Sequence, residues 1–374
     1  MLDLILKGGR LIDPAQGIDA PLDIGFAGGM VAAVGRDLGA ARDIRDVSGR
    51  IVTPGLIDLH THVYWGGTSI GIDPDDYAKR SGATTLVDAG TAGPGNIMGF
   101  RRHVIEPARS RIVPFINLSF AGIFAFSKTV MVGESEDVRL LDPRECLAAI
   151  RAHADLIKGV KVRVGRSASG SAGLAPLDMA RDVAEAAGLP LMAHLDHPPP
   201  YRPDVMARLG KGDILTHCFR PFPNSPAQAD GRVHADVLAA RARGVIFDIG
   251  HGKGSFGFDT AAAMLKNGFL PDVISSDVHS LSIDGPVYDL PTTLSKFLAL
   301  GLPLVEAIRA ATVNAARAVG LADRGSLKPG LLGDASVLAL EKGKFRFVDV
   351  IDKEMTGTER LTCKGVVLNG AWWD

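Results

Sequence analysis

The stretch VTPGLIDLHTHVYWGG (residues 52–67) ends an apolar run with two histidines spaced two residues apart. Its Leu, Ile and Val content is typical of a buried β-strand. Side chains alternate between the faces of a strand, so His60 and His62 are predicted to share a face, with Asp58 one layer deeper. Two solvent-facing imidazoles on a half-buried strand are one interpretation. A pair of metal ligands directed into a cavity is the other, because imidazole is the commonest metal ligand.

After residue 54, apolar strands alternate with amphipathic helical segments, a pattern typical of βα units around a parallel sheet. Eight such units in about 270 residues favour an α/β fold, a (β/α)8 TIM barrel, over a doubly wound sheet. The eight predicted strands cover residues 55–60, 84–90, 112–119, 157–164, 190–195, 213–219, 245–250 and 273–278.

Both ends of the chain differ from the middle, because they consist of short strands punctuated by glycine turns. This pattern occurs in residues 1–53 and again in residues 325–374. Since the two ends share it, they are predicted to pair in one small β-sandwich domain. The predicted organisation is therefore a sandwich from residues 1–53 plus 325–374 and a catalytic barrel from residues 54–324.

The composition excludes several classes of protein. A formal net charge of −1 with scattered basic residues gives no electrostatic footprint for nucleic acid or an anionic membrane. No apolar run reaches the ~18 residues of a membrane span. Three widely spaced cysteines without a CxxC motif argue against a disulfide framework or a thiolate zinc site. We expect a cytoplasmic protein acting on a small molecule, and the sequence leaves open whether it forms a homo-oligomer.

Polar residues gather at the carboxyl ends of the predicted strands, where (β/α)8 barrels carry their active sites. Polar groups buried at one level of a barrel are unfavourable by several kcal/mol unless they are paired or bind a metal. We therefore interpret them as candidate ligands or substrate contacts. These residues are His60, His62, Lys161, Arg163, His194, His217 and Asp277.

The fourth predicted strand carries two lysines, which strand alternation separates. Lys161 and Arg163 are predicted to point inward, whereas Lys158 shares the parity of the strand's valines and reaches solvent at the rim. An inward lysine near four imidazoles must be neutral, paired with a carboxylate such as Asp277, or chemically modified.

The chain resembles the amidohydrolase superfamily, and within it the dihydroorotase-like amidohydrolase/deacetylase metallohydrolases, in PGLIDLHTHVYWGG, SGATTLVDAG, GVKVR, LMAHLDHPP, GDILTHCF and ISSDVH. The resemblance covers nearly the whole chain and implies two divalent metal ions. Zn²⁺ suits histidine and oxygen ligands, although Mn²⁺, Fe²⁺ and Co²⁺ fit them too. By this resemblance, His60, His62 and Asp277 would bind the buried metal, His194 and His217 the more exposed metal, and Lys161, carboxylated by CO2, would bridge both.

The resemblance also implies a hydrolytic mechanism. A hydroxide bridging the metals would attack a carbonyl carbon, and Asp277 would carry its proton to the leaving group as general base and then acid. Asp58 would accept a hydrogen bond from the N–H of a metal-binding imidazole without binding the metal itself. His197 is an alternative ligand to His194.

The predicted substrate contacts are Tyr64, Arg163 and His251, each with a structural role as the alternative. An inward Arg163 would pair with a substrate carboxylate, unless it pairs with a protein carboxylate such as Asp196. We therefore expect cleavage of the ester or amide bond of a small acylated acid, as in a deacetylase. Ring opening of a cyclic amide is the alternative. A non-catalytic scaffold barrel is disfavoured because all six ligand positions are filled.

Overall fold

Glycine turns divide the first 54 residues into short strands. The computed structural model describes residues 1–221 and 223–374. Gly28 and Gly49 adopt positive φ angles of 58° and 72° at two of the reversals, a conformation that the missing Cβ permits. The strands of this part are β1 (Leu2–Lys7), β2 (Arg10–Asp13), β3 (Ile18–Pro21), β4 (Asp23–Ala27), β5 (Met30–Gly35), β6 (Ala41–Asp46) and β7 (Ile51–Pro54).

The middle of the chain alternates strands with helices. Asp73 and Asp142 begin two of the helices, where each side chain accepts hydrogen bonds from unpaired backbone N–H groups. Within the described residues, no helix combines the length and apolar character needed to span a membrane. The elements are β8 (Leu56–Thr61), α1 (Pro74–Ser81), β9 (Ala83–Ala89), α2 (Ile97–Phe100), β10 (Arg111–Asn117), α3 (Pro143–Ala152), β11 (Gly159–Val164), α4 (Ala175–Ala187), β12 (Leu191–Leu195), α5 (Arg202–Met206), β13 (Ile214–Leu215), α6 (Ala235–Ala242), β14 (Ile246–Phe247), α7 (Phe258–Lys266), α8 (Leu290–Ala299), α9 (Leu304–Ala310) and α10 (Val313–Ala318).

Strands β8 to β14 form one parallel sheet in chain order. The predicted eighth strand, residues 273–278, is not a continuous strand. Val278 forms a parallel bridge with Thr61 of β8, and Val273 forms one with Asp248, just after β14. The segment therefore contacts both edges of the sheet. Its ladder is interrupted because Asp277 has a left-handed φ of 49°, which does not fit a regular strand.

Two predicted strands are shorter in the structure than in the sequence analysis. The segment predicted at 213–219 contributes only β13, and the segment predicted at 245–250 contributes only β14. His217 has a left-handed φ of 64°, and Gly250 has a φ of 45°. Both conformations end a β ladder, so the chain leaves the sheet just before the site.

The two sides of the parallel sheet pack in separate apolar clusters. Val160, Val162 and Val164 of β11 belong to the larger cluster, which includes Leu177 and Val183 of α4. The inner cluster contains alternating residues of other strands and is closed at one end by α10. Its buried members are Ile57, Leu59, Val87, Ala89, Val113, Phe115, Met192, Ile214, Val273, Ala315, Ala316, Ala318 and Val319.

Strands from both ends of the chain share one sheet. β15 (Ala335–Val348), β16 (Glu354–Leu368) and β17 (Ala371–Trp372) follow the helices. β15 pairs antiparallel with β7, which gives a six-stranded sheet of order β17-β16-β15-β7-β2-β3. A four-stranded sheet has the order β5-β4-β1-β6. One buried cluster draws from both sheets, for example Leu6 and Phe26 from the smaller and Val52 and Val337 from the larger.

Candidate metal centre

All six residues that were predicted to bind metal line one small cavity at the carboxyl end of the parallel sheet. The cavity has a volume of about 40 Å³. The side chains come from β8, β11, β12, the turn after β13 and the segment 273–278, so distant parts of the chain meet here. The six residues are His60, His62, Lys161, His194, His217 and Asp277.

His60, His62 and Asp277 form the tightest group in this cavity. Asp277 Oδ1 lies 3.3 Å from His60 Nε2 and 3.2 Å from His62 Nε2. One ligand atom from each residue lies within 4.8 Å of the other two, and all three residues are buried. Two imidazole nitrogens and a carboxylate oxygen at this spacing suit a divalent metal such as Zn²⁺.

The backbone at Asp277 is held in an uncommon conformation. Its φ of 49° lies in the left-handed region, which Asp adopts more readily than most residues but which is still sparsely populated. Asp277 N donates to His60 O at 2.7 Å. The preceding Ser276 N donates to Asp58 Oδ1 at 2.9 Å. These hydrogen bonds fix the Asp277 carboxylate against the two histidines.

A threonine and an aspartate support the second nitrogen of His60. Thr216 Oγ1 donates to Asp248 Oδ2 at 2.7 Å, so it must accept from His60 Nδ1–H, which lies 2.8 Å away. The proton on Nδ1 leaves the Nε2 lone pair of His60 directed into the cavity. A hydrogen-bonded second nitrogen of this kind orients metal-binding histidines and raises their basicity.

His62 is supported in the same way. Its Nδ1 lies 2.8 Å from Thr91 Oγ1, and Thr91 donates to Asp88 Oδ2 at 2.7 Å. His217 uses a backbone acceptor instead, with Nδ1 2.6 Å from Gly250 O. Burial lowers the pKa of His62 to about 3, so its imidazole is neutral, the form that binds metal.

His194 also lines this cavity, and one of its ring nitrogens has no hydrogen-bond partner among the described residues. Its Nε2 is buried and has no hydrogen-bond partner among the described residues. Its ring lies 4.4 Å from the ring of His217, centroid to centroid. A buried polar atom without a partner is unfavourable by about 1–3 kcal/mol. A metal ion in the cavity would satisfy this nitrogen, so the residues fit such an ion.

Lys161 is fully buried and lacks the salt bridge with Asp277 that the sequence left as an alternative. Its Nζ lies 3.3 Å from His60 Nε2 and 3.4 Å from Met192 Sδ. Among the described residues, no carboxylate oxygen lies within 4.0 Å of it. Burial lowers the pKa of Lys161 to about 8. An unpaired buried ammonium is costly, which favours neutralisation or modification of this side chain.

Lys158 lies apart from Lys161, as alternation predicts. It lines a different cavity, together with Lys211 and Arg317. Its backbone N–H donates to Pro114 O at 3.1 Å, near the start of β11. The two lysines of this segment therefore occupy separate environments, and only Lys161 reaches the histidines.

Asp58 does not support an imidazole, which corrects the sequence-based prediction. Its Oδ2 accepts from Tyr77 OH at 2.7 Å, and its carboxylate also accepts from Ser276. The reason is an irregularity in β8, whose pairing with β9 shifts between Asp58 and Thr61. Such a shift rotates the following side chains, so Asp58 and His60 do not share a face.

A larger cavity of about 250 Å³ adjoins the metal cavity and shares His194 and Asp277 with it. Arg163 also lines both cavities, on the inward side where it was predicted. Its Nη1 donates to Glu134 Oε2 at 3.2 Å, and its guanidinium lies 5.2 Å from the ring centre of Phe126. Arg163 thus has a protein carboxylate partner, which is Glu134 and not the suggested Asp196.

The structure does not bring Tyr64 or His251 into either cavity. The Tyr64 ring stacks on Phe100 with centroids 4.6 Å apart. His251 is buried against Phe256, and its Nε2 lies 2.7 Å from Lys296 Nζ. Both residues were predicted to contact substrate, and both have structural partners here. His197, the alternative ligand, is also not among the residues that line these cavities.

Phe126, Arg220 and His279 are among the residues of the site that the sequence did not predict. All three line the larger cavity, and Phe126 and His279 also line the metal cavity. His279 follows Asp277 by two residues, the same spacing as His60 and His62, so the strand period could have found it. Arg220 and Phe126 lie in loops, where a single sequence carries no comparable signal.

Comparisons with known proteins agree with this site. A family model described as the amidohydrolase family matches residues 51–372. A deacetylase of Brucella anthropi is 35% identical over 333 residues, covering 88% of this chain and 80% of the relative. A deacetylase of Agrobacterium fabrum is 36% identical over 333 residues, covering 88% and 79%. The chain belongs to the amidohydrolase family. It is therefore a hydrolase, and the resemblance seen in the sequence is confirmed.

Solved structures of the amidohydrolase family share the whole fold. An adenine deaminase matches with a TM-score of 0.93 and 29% identity, covering all of both chains. A dihydroorotase matches with a TM-score of 0.91 and 33% identity, covering all of this chain and 99% of the other. The α/β class with a curled parallel sheet is thus confirmed. Because these neighbours carry different names, the fold alone does not identify a substrate.

Proposed function

We propose that this amidohydrolase is a binuclear metal-dependent enzyme that cleaves the ester or amide bond of a small acylated acid. The observation that carries the proposal is the set of six residues around one cavity, in which His194 Nε2 lacks a partner. Membership of the amidohydrolase family supports a hydrolytic reaction. The deacetylase names of its relatives support an acyl group as the part released.

Two divalent cations fit the donor set, and Zn²⁺ is the proposed metal. A carbamate on Lys161 would replace a buried cation by an anionic oxygen ligand, which accounts for the absence of a carboxylate near its Nζ among the described residues. When bound, two such cations acidify a water molecule and polarise a substrate carbonyl. The residues proposed to hold them are His60, His62 and Asp277 for one ion, His194 and His217 for the other, and carboxylated Lys161 between them.

Asp277 is the proposed proton carrier. Its carboxylate lies within 3.3 Å of both His60 and His62 and also borders the larger cavity. From this position it would accept a proton from the attacking water and donate it to the leaving group. His60 and His62 have their Nδ1 atoms occupied by threonines, so neither can carry the proton, and Asp277 is proposed for this role because its carboxylate borders both cavities.

We expect purified protein, produced with added zinc and bicarbonate, to contain close to two metal equivalents per chain. Elemental analysis measures this directly. A His194→Ala variant should lose one equivalent, because His194 is a proposed ligand of the second ion and its Nε2 has no hydrogen-bond partner among the described residues. A wild-type content that stays below one equivalent contradicts the binuclear site.

The cationic lining of the larger cavity supports an acidic substrate. Arg220 and Lys253 border it, next to Asp277 and His194, whereas Arg163 at the same cavity is paired with Glu134. Arginine pairs well with carboxylates because its planar N–H groups match the two oxygens. The substrate class that fits is an N-acyl amino acid or an O-acyl hydroxy acid.

The substrate class is tested by comparing N-acetyl amino acids and O-acetyl-lactate with their methyl esters. We expect the wild type to prefer the free acid by at least tenfold in kcat/KM, which corresponds to ~1.4 kcal/mol. Equal turnover of the acid and its methyl ester contradicts an acidic substrate, while still being compatible with acyl hydrolysis.

Cyclic-amide hydrolysis is the second candidate function. The dihydroorotase structure supports it, because it is 33% identical and covers the full chain. Dihydroorotate and hydantoin belong in the same substrate panel. If the enzyme opens either ring faster than it hydrolyses any acylated acid, the cyclic-amide function replaces the one proposed here.

We further propose that residues 54–324 form a closed eight-stranded barrel and that residues 1–53 plus 325–374 form a β-sandwich domain. The parallel bridges of residues 273–278 to both edges of the sheet support closure. The apolar cluster shared by the two terminal sheets supports the sandwich. A cytoplasmic location, supported by the unpaired Cys146, Cys218 and Cys363, and the oligomeric state both stay predictions.

A further inference from the structure

Arg220 is a buried guanidinium without a carboxylate partner in the described chain. It is only 6% exposed. Other arginines with little exposure are paired, since Arg202 lies 2.7 Å from Asp236 and Arg163 lies 3.2 Å from Glu134. No carboxylate oxygen of the described residues lies within 4.0 Å of Arg220. The charge of this side chain is therefore not balanced by a direct ion pair.

The acceptors that Arg220 does have are neutral. Its Nη1 donates to Leu195 O, and its Nη2 lies 3.3 Å from Ser255 Oγ and 3.5 Å from Gly254 O. Its Nε has no partner among the described residues. These contacts fix the plane of the guanidinium between the end of β12 and the loop after β14. The desolvation of a buried, unpaired charge is expensive, so a partner from outside the chain would be strongly favoured.

The larger cavity gives that partner access. Arg220 lines it together with His194 and Asp277. A molecule in this cavity can therefore contact Arg220 and these two proposed metal ligands at the same time. Burial lowers the pKa of Arg220 to about 10, and the side chain stays cationic at neutral pH. Asp196 also lines the cavity. Its Oδ1 accepts from Ser167 N at 3.3 Å, and its Oδ2 has no hydrogen-bond partner among the described residues, so neither oxygen pairs directly with Arg220.

Resting on the proposed acyl hydrolase function, we propose that Arg220 binds the carboxylate of the acylated acid. Arg163, which was expected to take this role from the sequence, is already neutralised by Glu134 and packed on Phe126. Arg163 then forms a wall of the cavity, while Arg220 selects an anionic substrate and orients its acyl bond toward the metal group.

The test uses O-acetyl-lactate and its methyl ester with the metal-loaded wild type, Arg220→Met and the double variant Arg163→Met/Glu134→Gln, which removes both charges of the buried pair. For Arg220→Met we expect kcat/KM on the acid to fall at least tenfold, mostly through KM, with the ester changed less than threefold. The double variant should keep the wild-type preference for the acid. If Arg220→Met retains that preference, or if the double variant abolishes it, the proposal is overturned.

A second variant, Arg220→Gln, tests the proposal in case Arg220→Met does not fold. Arg220→Gln removes the charge and keeps a polar amide in the buried site, although this amide ends short of Leu195 O and Ser255 Oγ, which the Nη atoms of arginine contact. It should lose the acid preference while its ester turnover and metal content match the wild type. An unchanged acid preference in Arg220→Gln contradicts the proposal even if Arg220→Met does not fold.

Binding separates this inference from the proposed reaction. We expect calorimetry on the wild-type holoenzyme to give at least tenfold tighter binding for lactate than for lactamide, and Arg220→Gln to bind both equally. This result, obtained on an enzyme that hydrolyses neither acylated substrate, would uphold the anion site and refute the acyl hydrolase function. Equal binding of lactate and lactamide by the wild type overturns the anion site itself.

Discussion

Replacing Lys161 by alanine is expected to remove both bound metals and to lower activity by at least ~10²-fold. Metal sites lose ~10- to 100-fold in affinity or activity when only a supporting outer residue is changed, and Lys161 is proposed as a ligand of both ions. Its Nζ is fully buried beside His60 Nε2 and has no carboxylate partner among the described residues. Elemental analysis and steady-state kinetics measure the two losses.

Lys158→Ala is the matched control, because it removes a lysine from the same segment. Lys158 borders a different cavity and does not line the cavity of the six proposed ligands. Such surface substitutions usually change stability by less than ~0.5 kcal/mol, so metal content and activity should stay at wild-type values. Short carboxylic acids such as formate should partly restore Lys161→Ala by supplying an anionic oxygen. If Lys158→Ala loses metal and Lys161→Ala does not, Lys161 is not the lysine that binds the metals.

Strand periodicity predicts the inward residues of this site well wherever the strands are regular. β11 is regular, and Lys161 and Arg163 face inward while Val160 and Val162 pack outside. The reason is physical: alternation is a property of the pleated backbone, and it needs no knowledge of the rest of the fold. The position of His194 near the end of β12 follows from the same rule.

Periodicity fails where the ladder is irregular. Strict alternation puts Asp58 and His60 on one face and Leu59 on the other, but Leu59 packs in the inner cluster. The shift in pairing between Asp58 and Thr61 changes the face of the residues that follow. The carboxylates that do act on the histidines reach them through Thr91 and Thr216, which no local pattern in the sequence connects to them.

Loop residues set the remaining limit on what the sequence predicts about the site. Tyr64 and His251 follow directly after strand segments, so a position near the mouth was a reasonable expectation, yet both side chains turn into apolar packing. Arg220 stands out only because no carboxylate of the described residues pairs with it. The sequence cannot show which charged side chains will lack a partner in the fold. Loop residues that could contact substrate are therefore recognised only from the structure, whereas inward-facing residues on regular strands can be predicted from the sequence.

Asp277→Asn is expected to lower kcat by ~10² or more, the usual size of a general acid–base contribution. The amide keeps the shape of the side chain and one oxygen near His60 and His62, but it cannot accept and return a proton. Metal content must be measured in the same sample, because Asp277 belongs to the ligand group. A variant that binds both metals and keeps a near-normal kcat would remove Asp277 from the mechanism.

The leaving group distinguishes a proton carrier from a simple ligand. An amide nitrogen must be protonated as it departs, whereas a nitrophenolate departs as a stable anion. The loss caused by Asp277→Asn should therefore be at least ~10-fold larger for an N-acetyl amino acid than for p-nitrophenyl acetate, since only the first reaction needs the acid step. If Asp277 served only to hold a metal, both substrates would lose activity by the same factor, because the same ion acts on both carbonyl groups. The Asp277 carboxylate lies 3.3 Å or less from two histidines and also borders the larger cavity. This is the position that the proposed proton transfer to the departing atom needs, and it is the reason to expect unequal losses.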